Sequence, residues 1–184
     1  MIRAVDLILS SIGIVMLAPV MIGVACFGYF DTGSPIFIQT RVGRNQVPFK
    51  LLKIRTMAIG TPSAASHLVD GSVVTRFGSF LRRSKLDELP QLWNVLRGEM
   101  SLVGPRPGLF NQEELTQARE RLGVFSARPG ITGLAQIRGI DMSTPNLLAQ
   151  TDAKMIENMN LYTYFALIFQ TVKGRGRGDQ VGGR

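Results

Sequence analysis

Two adjacent carboxylates, Asp87 and Glu88, lie in the segment Ser84-Lys85-Leu86-Asp87-Glu88-Leu89-Pro90-Gln91-Leu92-Trp93-Asn94-Val95-Leu96. Arg82, Arg83 and Lys85 crowd the same stretch, and Arg106 follows in the motif Gly104-Pro105-Arg106-Pro107. These residue types suit phosphoryl transfer, in which an ionised carboxylate attacks or positions a group while cations screen the phosphate. Proline on both sides of Arg106 limits its backbone freedom, which suits a guanidinium held for bidentate phosphate contact. The ordinary alternative is that Asp87 and Glu88 are first-turn residues that cap a helix. It leaves the stiff Pro-Arg-Pro turn unexplained.

The elements that must hold these residues follow from pattern. Leu89, Leu92, Trp93 and Leu96 keep the i, i+3, i+4, i+7 spacing of a buried helical face. Pro90 is tolerable only in the first turn, so the carboxylates sit at or just before the helix start. Free backbone N–H groups there would draw a phosphate toward them. Residues 35–40 and 49–57 read as strands joined by a turn over 43–46. In the second strand Lys50, Lys53 and Arg55 interleave with apolar residues, as solvated bases on a half-exposed strand or as phosphate ligands. Residues 60–71 read as a loop, and 73–81 lead into the acidic pair. Asn111 caps a helix that runs to about Leu122, and 128–136 is a Gly/Pro-punctuated loop that turns strand-like. Another helix starts at Thr144-Pro145-Asn146. The aromatic stretch 161–169 is either an interfacial helix or a core-facing one.

Charge and hydropathy separate the chain into unlike parts. Of 184 residues with net charge +8, residues 41–106 hold eleven basic and four acidic side chains. Nearly all the excess charge therefore surrounds the acidic pair, which favours anionic partners: nucleotides, phospholipid head groups or nucleic acid. Cys26 is the only cysteine and His67 the only histidine, which excludes an intramolecular disulfide and a cysteine-based zinc cluster. A metal here would be a hard cation on oxygen ligands, with Mg²⁺ the natural candidate. From Leu7 to Phe30 no residue is charged, a run long enough to cross a bilayer and too long for a signal-peptide core. Pro19 near its middle leaves two arrangements open: a kinked spanning helix, or a helix–break–helix that enters and leaves by one face.

Together these segments resemble the small monotopic phosphoglycosyl transferases, the bacterial sugar-transferase family that initiates glycan assembly on polyprenyl phosphate. The resemblance runs from about Ile2 to Val172, in the family's order. It comprises an apolar hairpin with central Pro19, then Gln39-Thr40-Arg41-Val42-Gly43 and Lys53-Ile54-Arg55-Thr56-Met57. Leu86-Asp87-Glu88-Leu89-Pro90-Gln91, Gly104-Pro105-Arg106-Pro107 and Arg128-Pro129-Gly130-Ile131-Thr132-Gly133 complete it.

The resemblance implies an α+β, mostly helical fold with interfacial amphipathic helices around a small catalytic domain. It implies a re-entrant membrane hairpin over 1–30 broken at Pro19, a catalytic domain over 31–172 and a flexible tail over 173–184. Larger relatives precede this unit with a bundle of spanning helices that these residues do not include. Asp87 becomes the nucleophile toward the β-phosphate of a UDP-sugar, releasing UMP, and polyprenyl phosphate then takes the phosphosugar. Glu88 positions the second nucleophile or helps Asp87 hold Mg²⁺. Arg82 and Arg106 stabilise phosphate charge, with Lys53, Arg55 and Arg128 as further nucleotide or lipid-phosphate ligands; Arg128 has a loop-anchoring alternative. The implied setting is the cytoplasmic face of the bacterial inner membrane, among phospholipids, without nucleic acid and compatible with a homodimer.

Departures gather toward the C-terminus. Met155 stands where relatives often carry tyrosine, Tyr164 where an acid is frequent, and Ile140 where a polar or basic side chain is common. Two rival functions remain distinguishable by product. A membrane-tethered basic module for lipid or nucleic acid would release no nucleotide from UDP-sugars. A conventional glycosyltransferase would release UDP rather than UMP.

Overall fold

The computed structural model describes residues 1–61 and 71–174. An apolar helix α1 (Ile2–Thr32) opens the chain, followed by an antiparallel hairpin of β1 (Ile36–Val42) and β2 (Pro48–Ile54). Its register runs from Ile36 opposite Ile54 to Val42 opposite Pro48. Asn45 and Gln46 at the tip take left-handed backbone angles, which suits a tight reversal. Helix α2 (Arg76–Ser84) precedes a 3-10 turn over Leu86–Glu88, helix α3 (Gln91–Arg97) and strand β3 (Ser101–Val103). Then come α4 (Glu113–Arg121), β4 (Gly130–Thr132), α5 (Leu134–Ile137), α6 (Pro145–Glu157) and α7 (Leu161–Val172). Strands β3 and β4 pair in parallel, Ser101 with Gly130 and Val103 with Thr132. The α+β, mostly helical expectation holds at this level.

The core is a chain of small clusters at element junctions. Phe49 and Leu51 of β2 meet Val95 and Met100 around α3. Val103, Met155, Tyr164 and Leu167 join β3 to α6 and α7, and Leu115, Ala135 and Leu148 join α4, α5 and α6. Backbones approach closely where glycines allow it. A Cβ on Gly78 would lie 2.1 Å from the Thr56 carbonyl oxygen, so α2 can rest on the chain leaving β2 only through glycine. Likewise a Cβ on Gly130 would lie 2.0 Å from the Gly104 nitrogen, which lets the Arg128 and Arg106 segments pass each other.

Several local expectations need correction. Pro19 lies inside α1, which continues through it as one helix from Ile2 to Thr32. In α3 the buried residues are Gln91, Leu92, Asn94 and Val95, whereas Trp93 is 52% exposed. The helix follows a 3-10 turn and is rotated so that Asn94 faces β2, where its side chain bonds the strand. The segment 128–136 turns strand-like at β4 (Gly130–Thr132) and then enters the short helix α5, and the α4 cap is Gln112 rather than Asn111. Helix α7 has a core-facing side with Tyr164 and Leu167 buried, while Tyr162, Phe165, Phe169 and Val172 form an exposed apolar face. The expected loop over 60–71 and the tail from 173 lie mostly outside the described residues.

Both ends of α1 are fastened to the rest of the chain. Near its start Asp6 is 2% exposed, and its Oδ1 accepts from Ser101 Oγ (2.9 Å), Leu102 N–H (2.9 Å) and Tyr164 Oη (2.6 Å). Burial, reinforced by this carboxylate, pushes the Tyr164 phenol well above its usual range, so it stays a donor. Arg3 Nη2 donates to the Leu96 carbonyl at 3.2 Å. Near the other end Val24 packs with Ile54 and Leu81, and Thr75 Oγ1 donates to Asp31 Oδ2 at 2.6 Å. Because three donors converge on Asp6, Asp6→Ala should cost about 3 kcal/mol or more, as breaking a buried charged contact does. Tyr164→Phe removes one donor and should cost about 1 kcal/mol. Denaturant unfolding of detergent-solubilised protein checks this ordering, and equal costs for the two would contradict the shared-acceptor account.

Candidate active site

The carboxylate pair is placed by three constraints of the chain. Lys85 ends α2 in a left-handed conformation (φ 59°, ψ 16°), which reverses the backbone into the Leu86–Glu88 turn. Within that turn the Glu88 N–H donates to the Lys85 carbonyl and the Leu89 N–H to that of Leu86. Pro90 then begins the entry into α3 without needing a partner for a missing N–H. Two of the amides at the expected helix start, those of Glu88 and Leu89, are thus used within the turn. Side chains add electrostatic support for an anion.

Those side chains converge on Glu88. Its Oε1 lies 3.4 Å from Lys53 Nζ and 3.3 Å from Arg106 Nη2. Asp87, Glu88 and Lys53 are 5%, 8% and 8% exposed, so these charges are largely removed from water. Lys53 is therefore not a solvated strand residue; its position on the inward face of β2 brings it under the acidic turn. Lys85 lies in the field of the same group. Burial pushes its ammonium below the usual lysine range, with Glu88 opposing that shift and Arg106 adding to it.

Asn94, 0% exposed, keeps α3 in register over β2. Its Oδ1 accepts from Leu52 N–H (3.1 Å), and its Nδ2 donates to the Lys50 carbonyl (2.8 Å) and Glu99 Oε2 (2.7 Å). The strand that carries Lys53 is thereby bonded to the helix that follows Glu88. This residue was hidden in the sequence because a leucine periodicity pointed to a different face.

The remaining candidates fall elsewhere. Arg82 Nε donates to Thr56 Oγ1 at 2.9 Å, one helical turn before the acidic pair. Arg55 Nε donates to the Ser34 carbonyl (2.9 Å), and its guanidinium lies 5.4 Å from the Phe37 ring centre, across the hairpin. Arg128 Nε donates to the Gly98 carbonyl at 2.9 Å, the loop-anchoring alternative. The structure thus groups Asp87, Glu88, Lys53, Lys85 and Arg106, while Arg55 and Arg128 each bond a backbone carbonyl.

Behind Arg106 stands a second charged layer that sequence reasoning missed. Arg119, 3% exposed, donates through Nε and Nη2 to Asp152 Oδ2 at 3.0 and 2.6 Å. Burial pushes the Asp152 carboxyl above its usual range while Arg119 pulls it back. The available signal was Asp152 itself, an acid on an otherwise apolar helical face. Among the described residues no three His, Cys, Asp or Glu side chains converge as a metal cage. Two adjacent carboxylates nonetheless fit a hard divalent cation that keeps water and substrate oxygens in its shell.

Cations thus surround a buried acidic pair. The model for the family described as bacterial sugar transferase matches residues 1–177. A UDP-glucose:undecaprenyl-phosphate glucose-1-phosphate transferase of Caulobacter vibrioides is 37% identical over 180 residues, covering 92% of this chain and 67% of that protein. An exopolysaccharide production protein of Rhizobium leguminosarum bv. phaseoli is 34% identical over 196 residues, 96% of each chain. An uncharacterized sugar transferase of Haemophilus influenzae is 34% identical over 188 residues, but the match spans only 40% of its length. The chain thus spans between two fifths and nearly all of these relatives. It belongs to the bacterial sugar transferase family.

Proposed function

We propose that this chain transfers a sugar-1-phosphate from a UDP-sugar to polyprenyl phosphate, giving polyprenyl diphosphate-sugar and UMP. The carrying observation is the buried Asp87–Glu88 pair with Lys53 and Arg106 on Glu88. A carboxylate attacking a phosphate meets charge repulsion, and a unit charge at 4 Å is worth about 4 kcal/mol at an effective dielectric near 20. Lys53 and Arg106 offset the charges of Asp87 and Glu88, so the incoming diphosphate meets a neutralised pair rather than two bare carboxylates. This is the electrostatic condition that lets Asp87 act as nucleophile.

In the first step an Asp87 carboxylate oxygen bonds to the β-phosphorus. The bond from that phosphorus to the bridging diphosphate oxygen breaks, and UMP leaves with the electron pair. In the second step a phosphate oxygen of the polyprenyl acceptor bonds to the same phosphorus. The aspartyl–phosphorus bond breaks and the carboxylate is restored. Neither step needs a proton from the protein, which suits a site without histidine among its described members. Glu88 keeps Lys53 and Arg106 in place throughout. Asp87 and Glu88 would hold Mg²⁺, which when bound supplies further charge neutralisation on the diphosphate. The names of several relatives, which include glucose, galactose and N-acetylgalactosamine donors, leave the sugar of this chain open.

The same reading places the chain at a membrane surface. Helix α1 is long and apolar enough to cross a bilayer, with Ile12, Val15, Met16 and Ile22 on its exposed side. Yet Arg3 and Asp6 at one end, and Val24 and Asp31 at the other, all bond or pack against the one body. A helix whose two ends rest on one domain supports re-entry through a single face rather than a crossing. That arrangement keeps a soluble donor and a lipid-borne phosphate within reach of one site. The basic segment then meets anionic head groups.

Two outcomes are expected. Intact mass of the protein mixed with Mg²⁺ and UDP-sugars, without acceptor, should show a sugar-phosphate adduct that Asp87→Asn abolishes. UDP rather than UMP among the products would sink the phosphoryl-transfer reading. In a Cys26→Ser background, single cysteines at Ala4 and Gly33 should both be labelled from the cytoplasmic side of membrane vesicles. Labelling from opposite sides would show a crossing.

A further inference from the structure

The turn that carries Arg106 is held in an unusual way. Four successive carbonyls are each engaged by a different donor. Pro105 accepts from Gly130 N–H (2.9 Å), Arg106 from Arg119 Nη1 (2.8 Å), Pro107 from Arg41 Nη1 (3.2 Å) and Gly108 from Val42 N–H (3.0 Å). Proline at 105 and 107 has no amide hydrogen, so carbonyls are the main handles by which this segment can be fixed. Arg119 is suited to the task. Its planar guanidinium has donors enough to bond Asp152 through two nitrogens and the turn through the third.

A buried ion pair is weak evidence for a stabilising role, because desolvation consumes most of the attraction. Here the pair has a third arm, and that arm ends on the backbone of the residue that reaches Glu88. We propose that Arg119, oriented by Asp152, is a positioning residue for Arg106. It grips the Arg106 carbonyl so that the side chain of that residue is aimed at Glu88 and at the phosphate bound beside it. Arg41, steadied by Gln39 Oε1 at 2.6 Å, holds the next carbonyl in the same sense. The proposal rests on the phosphoryl-transfer reading, in which Arg106 meets the substrate. Arg119 acts only through it.

A double-mutant cycle separates this from a role in merely joining α4 to α6. Arg119→Lys keeps the charge but cannot serve Asp152 and the turn together. It should lower kcat/KM for UMP release about 10- to 100-fold, as small misplacements of a reacting group do. In an Arg106→Ala background the same change should cost no more than about twofold, within ordinary additivity error. Losses that multiply across the two backgrounds would overturn the proposal. Asp152→Asn supplies the same cycle if Arg119→Lys fails to fold.

A second measurement does not depend on turnover. Hydrogen exchange at the Val42 and Gly130 amides, which bond the turn, should quicken in Arg119→Lys while distant helices keep their protection. Unchanged exchange at both amides would overturn the proposal. If the unaltered protein released no UMP, the functional reading would fail, and exchange alone would decide the positioning role.

Discussion

Glu88 joins three pieces of chain that are distant in sequence. Lys53 comes from the second strand, Arg106 from the turn after β3, and Glu88 itself from the turn between α2 and α3. Such a junction is tolerable in a poorly hydrated site only because each charge finds its opposite within a few ångströms. Removing Glu88 would take the shared counter-charge from both cations in a site largely removed from water. The hairpin, the 3-10 turn and the Pro-Arg-Pro segment are therefore mutually dependent. Much of the surrounding hydrogen bonding, from Asn94 to Arg119, serves to hold these three in register.

A second carboxylate plays the same part for the membrane helix. Asp6 is an acid at the head of a strongly apolar segment, where an unpaired charge would be costly. Three donors from β3 and α7 meet it, which fixes the start of α1 to the body. The opposite end is fixed by apolar packing and the Asp31–Thr75 bond. The outward residues of α1 and of α7 then present apolar surface, as expected of a protein that works against lipid. The charged layer and the apolar layer meet near α3, with exposed Trp93 following the acidic turn.

The arginines divide by task, and the division follows chemistry rather than abundance. Arg106 directs its guanidinium to the acidic pair. Arg41, Arg55, Arg119 and Arg128 direct theirs to backbone carbonyls. A planar fork of donors that stays charged can replace missing main-chain amides, which lysine does poorly. A segment with prolines at 105 and 107 needs such help more than most. Part of the high positive charge that sequence alone suggests for anion binding is thus spent on architecture.

What the sequence by itself determined was the local and the chemical. The acidic pair, the Pro-Arg-Pro turn, the apolar helix, the hairpin and the Thr144-Pro145 helix start are all set by short-range rules of pattern and proline geometry. The family could be read from the order of those motifs. Tertiary structure alone decided which cations reach Glu88: Lys53 is buried under the acidic turn, whereas Arg55, one residue past the end of β2, bonds the Ser34 carbonyl across the hairpin. It also decided the buried face of α3 and the partners of Asp6 and Arg119. Lys53 and Glu88 are 35 positions apart, Arg119 and Asp152 33, and Asp6 and Tyr164 158, and no local propensity encodes which buried charge will meet which.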